Sequence, residues 1–69
     1  MDNQQMINIA EDLIKKNQFG QAEKIYLRIL EENPGDAQAL TKLGLINIYK
    51  NDFKSADKFL ELALKISAR

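Results

Sequence analysis

The chain has no cysteine, no histidine and no tryptophan, and a single proline among its 69 residues. Without cysteine there is no disulfide and no thiolate nucleophile. Without histidine the chain lacks the side chain that titrates near neutrality and the commonest zinc ligand. Carboxylates and lysines are all that remain for acid–base or metal chemistry. The pairs Glu11-Asp12 and Glu31-Glu32 are adjacent on helical sequence and so point in different directions, and Asp52/Asp57 offers no better constellation. No enzyme, cofactor or metal site is expected. Excess charge is missing too: 10 basic residues balance 10 acidic ones. No block of five like charges occurs, so neither a nucleic-acid stripe nor a polybasic membrane signal is present. Lys24 with Arg28 and Lys54 with Lys58 make only small basic spots without an aromatic stacking platform. Long apolar runs are absent, well short of the roughly 20 residues that span a bilayer, and Met1–Ala10 lacks the basic start of a signal peptide. These absences lead to the expectation of a soluble, cytoplasmic chain whose partner is a protein or another copy of itself, with no nucleic acid and no membrane.

What is present is helical periodicity. Asp2 or Asn3 can cap a first helix over about residues 3–16, in which Met6, Ile9, Ala10 and Leu13 fall on one face. Asn17-Gln18 opens a turn. Phe19, Ala22, Ile25, Tyr26, Ile29 and Leu30 then carry a second helix to Glu32. The residue before Pro34 is pushed toward extended backbone, and Gly35 is free to take positive φ, so the helix must stop. Asp36 caps a third helix over 37–50 with Leu40, Leu43, Gly44 and Asn47 on one face. Gly44 in mid-helix costs about 1 kcal/mol relative to alanine, so a close helix–helix approach is the expected reason for it. Asn51-Asp52 repeats the earlier break, with Asp52 a better cap than Gln18. A fourth helix carries Phe53, Ala56, Phe59, Leu60, Ala63, Leu64 and Ile66. Short loops between such helices require antiparallel neighbours.

The second pair of helices copies the first at a spacing of 34 residues, as from Ala22 to Ala56. Identities at that offset include Asp2/Asp36, Ile14/Ile48, Lys16/Lys50, Asn17/Asn51, Phe19/Phe53, Lys24/Lys58 and Leu30/Leu64. Met6/Leu40, Ile9/Leu43, Ala10/Gly44 and Ile25/Phe59 exchange like for like. The predicted architecture is all-α: one domain over 1–69 made of tandem helix–turn–helix units, 2–35 and 36–69.

This spacing resembles the tetratricopeptide repeat, a 34-residue helix–turn–helix unit. The residues that carry the resemblance are Met6, Ile9, Ala10, Leu13, Ala22, Tyr26 and Pro34 in the first unit. In the second they are Leu40, Leu43, Gly44, Asn47, Ala56, Leu60 and Ala68. Asn47 stands where a large aromatic is usual, Ile29 where a small residue is usual, and Ala68 where proline is usual. The resemblance implies a scaffold or interaction module that binds a partner's peptide or helix in a groove lined by the first and third helices. Its groove positions correspond to Gln4, Ile7, Glu11, Ile14 and Lys15, and to Gln38, Thr41, Leu45, Ile48 and Tyr49. Ile7, Ile14, Leu45, Ile48 and Tyr49 make the array apolar enough to suit an amphipathic helix or apolar peptide. Ile7 and Tyr49, near helix ends, are the expected contacts. The family's clamp for acidic C-terminal tails would need Lys and Asn donors at positions held here by Ile7, Glu11 and Lys42, so an acidic tail is not expected to bind.

Repeats of this kind bury their apolar faces against one another, and terminal units need a polar cap. Leu62 and Ile66 of the fourth helix have no evident intramolecular use. The alternative function is therefore self-assembly into a homodimer or higher oligomer through the uncapped face, with Leu62 and Ile66 in the interface.

Overall fold

Capping chemistry sets where each helix begins in the computed structural model, which describes residues 2–68. Helix α1 (Asn3–Lys15) starts where the Asp2 carboxylate accepts the Gln5 N–H at 2.8 Å. Helix α3 (Ala37–Tyr49) starts in the same way, with Asp36 accepting from Ala39 at 3.1 Å. Helix α4 (Phe53–Ser67) is capped by Asp52, which accepts from Ser55. Helix α2 (Phe19–Glu32) has Gln18 at its start and no side-chain cap. Hydrogen bonding to the Ser55 side chain, then to its backbone, holds the Asp52 carboxyl below its ordinary value.

The breaks within each pair are closed by matched backbone geometry. Asn17 and Asn51 take left-handed conformations, with φ of 61° and 64°. The Gln18 N–H reaches back to the Leu13 carbonyl and the Asp52 N–H to the Asn47 carbonyl, each at 2.8 Å. The Asn17 and Asn51 N–H groups bond to Ile14 and Ile48. Both turns are thus Schellman motifs with asparagine, which tolerates this conformation better than most residues, at the left-handed position. The freedom expected of Gly35 is not used, since no glycine has positive φ among the described residues. The Asn33–Asp36 break needs none: Asn33 is extended and its carbonyl accepts the Asp36 N–H.

The helices stack in chain order, α1 on α2, α2 on α3 and α3 on α4, and there is no strand among the described residues. Helices α1 and α2 form hairpin one, α3 and α4 hairpin two. Helix α3 lies between α2 and α4 and buries Ala39, Leu40, Leu43, Gly44, Ile46 and Asn47, a much wider arc than the Ile7 and Ala10 buried by α1. The core joins Ile7, Ala10, Ala22, Tyr26 and Ile29 of hairpin one to Ala39, Leu43 and Ile46 of hairpin two. Hairpin two closes on itself at Gly44, where a Cβ would fall 2.7 Å from Leu60 Cγ and Cδ2. This close approach is the one expected from a mid-helix glycine.

Two side chains, Ile9 and Ile7, depart from the sequence expectation, while Asn47 is buried on the face expected of it. Ile9 is 43% exposed although its counterpart Leu43 is fully buried, because Leu43 faces the α2–α3 core and no equivalent helix covers α1. Ile7 takes the buried place instead, within the core cluster. Asn47, where an aromatic is usual, is buried and satisfies its amide by donating to the Leu43 carbonyl at 2.8 Å.

Candidate protein-binding surface

Residues 38, 41, 45, 48 and 49 follow the three-and-four spacing of one helical face, so α3 presents Gln38, Thr41, Leu45, Ile48 and Tyr49 on a single strip. All five are exposed, Leu45 and Ile48 by 38% and Tyr49 by 56%. Tyr49 is held by an offset stack on Phe19, with ring centroids 5.1 Å apart and planes 24° from parallel. Beside it, Lys50 donates to Glu23 at 3.1 Å. These two contacts tie the end of α3 to the start of α2 and fix the aromatic on the strip. Thr41 donates to the Ala37 carbonyl.

The matching strip on α1 is less available. Ile7 is only 7% exposed and belongs to the core, so the expectation that it meets a partner is corrected: in this fold it is buried in the cluster that includes Ala39, Leu43 and Ile46. Ile14 is half-buried against the same core. Glu11 is half-buried, while Gln4 and Lys15 are exposed, with Gln4 donating to Asn8. The Glu11 charge also reaches inward. The Tyr26 hydroxyl is buried without a hydrogen-bond partner among the described residues, and burial, then the Glu11 carboxylate, push it up to about 12. No group of three or more acidic, cysteine or histidine side chains that could hold a metal ion occurs among the described residues.

A second apolar surface lies at the far side of hairpin two. Thr41, Leu60, Ala63, Leu64 and Ser67 line a depression of about 320 Å³ between α3 and α4. Leu64 is 69% exposed and Phe53 59%, the two most exposed large apolar side chains described. Leu62 and Ile66 do not line it; Leu62 is exposed elsewhere on α4 and Ile66 is half-buried. The signal for this surface was in the repeat itself. The counterparts of Phe53 and Leu64 are Phe19 and Leu30, which pack on the core, whereas Phe53 and Leu64 are exposed.

No helix is long and apolar enough to cross a membrane among the described residues. In the comparison with known proteins, residues 37–69 match the family model described as tetratricopeptide repeat. No curated protein matches the chain. The matched second hairpin and the stack of four helices together fit a tetratricopeptide-like helical repeat protein.

Proposed function

We propose that the chain is a protein–protein interaction module whose α3 strip receives an apolar or amphipathic segment of a partner. One observation carries the reading: Leu45, Ile48 and Tyr49 stand exposed side by side on a helix whose opposite face is fixed in the core. Rigid apolar anchors on a preorganised helix suit helix-in-groove or extended-peptide recognition. Gln38 supplies polar contact at one end of the strip, and Glu11 and Lys15 supply charge from α1. An acidic C-terminal tail is a poor fit, since Glu11 repels it and Ile7 offers no donor. Selection of random helical peptides against the chain tests the reading. Enriched peptides should carry apolar residues three and four apart and lose binding to Leu45→Asp or Ile48→Glu. Peptides whose binding ignores both substitutions would sink it.

A second reading, self-assembly, is favoured by the exposure of Phe53 and Leu64 on the far side of hairpin two. The two readings separate by mutation. Changes at Leu45 and Ile48 leave self-association intact, and changes at Phe53 and Leu64 leave peptide binding intact.

A further inference from the structure

Hairpin one shows how the groove of a hairpin is filled. Its Ile7, Tyr26 and Ile29 are buried in one core with Ala39, Leu43 and Ile46 of α3, the helix that packs on α2. One repeat further on, the groove presents Thr41, Leu60 and Ala63 at the same three positions, each smaller than its counterpart. An occupant must therefore be an antiparallel helix with bulkier side chains than those of α3. The outer face of α1 from another copy does not fit. Its residues corresponding to Ala39, Leu43 and Ile46 are Gln5, Ile9 and Asp12, which offer one apolar side chain where the groove takes three.

Helix α4 itself fits. Phe53, Leu60 and Leu64 lie seven and four residues apart along one stripe, with the large exposed side chains at its two ends. Resting on the self-assembly reading, we propose that two copies of the chain associate through α4 packed antiparallel on α4 of the second copy, about a two-fold axis crossing between Asp57 and Leu60. That axis sets Phe53 against Leu64 of the second copy at both ends of the interface and leaves Leu60 near the centre. In an antiparallel pair the same flank of each helix meets, so Lys54 faces Glu61 of the second copy, twice over. Opposite charge is thus matched along the edge. The same axis brings the two Asp57 carboxylates near one another, the one repulsive feature of the arrangement.

Sedimentation equilibrium of the 69-residue chain up to millimolar concentration reads the outcome, with circular dichroism confirming that each variant is folded. The unaltered chain is expected to dimerise, and Leu64→Asp to abolish the dimer without loss of helix. Lys54→Glu or Glu61→Lys alone should raise the dissociation constant roughly three- to tenfold, and the double exchange should restore it. Asp57→Asn should lower it several-fold. A monomer throughout overturns both the self-assembly reading and this arrangement. A dimer that ignores Leu64→Asp, is not restored by the double exchange or is indifferent to Asp57→Asn overturns the arrangement and leaves self-assembly standing.

Discussion

Hairpin one has its forward groove covered by α3, while the same groove of hairpin two is open. Tyr26 is fully buried and its counterpart Leu60 is not; Phe19 stacks under Tyr49, whereas Phe53 is 59% exposed. Toward the other end the inequality reverses, since Leu43 is buried and Ile9 is 43% exposed. The two hairpins share a sequence pattern but not an environment. Burial in a stacked repeat therefore depends on what lies next to a residue as much as on its position in the unit.

Paired substitutions at equivalent positions test that comparison. The largest effect is expected for Leu43→Ala, a loss of about 2–5 kcal/mol, against less than about 1 kcal/mol for Ile9→Ala, whose side chain keeps much of its contact with water. Urea denaturation measures both. Equal losses would break the comparison. Gly44→Ala comes next. Helix propensity favours it by about 1 kcal/mol, but the new Cβ meets Leu60 at 2.7 Å, and overpacking of this kind costs about 1–3 kcal/mol. A net loss is expected from the denaturation midpoint.

Tyr26→Phe should instead stabilise by about 1 kcal/mol, because it removes a buried hydroxyl without a partner. It should also change the alkaline response. With the folded value raised from 10.0 to about 12, the folded state holds the phenolic proton more tightly than the unfolded chain does. Stability is then at its full value below pH 10 and is lost as pH rises toward about 12. Thermal melts across that window should show a shallower decline in the phenylalanine variant.

The smallest expected difference lies in the caps. Asp52→Ala should lower stability and Gln18→Ala should not, since only Asp52 bonds to the backbone of its helix. Because the Asp52 carboxyl is held below its ordinary value of 3.8, its contribution is present above that value and disappears as pH falls through the lowered one. Gln18→Asp should bring the two starts level, as read by melting temperature.

Most of the fold was legible before any coordinates. Three aspartate caps, the Asn33–Asp36 break and the glycine at the tight approach are local statements about backbone, and local rules predicted them. The exchange of Ile9 for Ile7 was not legible, because both lie on apolar arcs of α1 and only the position of α3 decides which is covered. The sequence marks Asn17 and Asn51 as turn residues and Gly35 as free to take positive φ, yet it is the two asparagines that are left-handed. The glycine rule considered permission; hydrogen bonding from the preceding helix created the need. On the candidate surface, Leu45, Ile48 and Tyr49 are exposed, and it was the resemblance to a repeat family, not helical spacing, that assigned them to a groove. The exposure of Phe53 and Leu64, whose counterparts Phe19 and Leu30 pack on the core, depends instead on what lies against α4, and periodicity within a helix does not carry that information.

Each helix rests mainly on its neighbours in the chain, so cohesion runs along the stack like links rather than converging on one hub. Loosening then starts at the ends. Helix α1, held chiefly from one side, is poised to peel away while α3 keeps both of its supports, giving the protein a graded scale of opening from its first helix to its third.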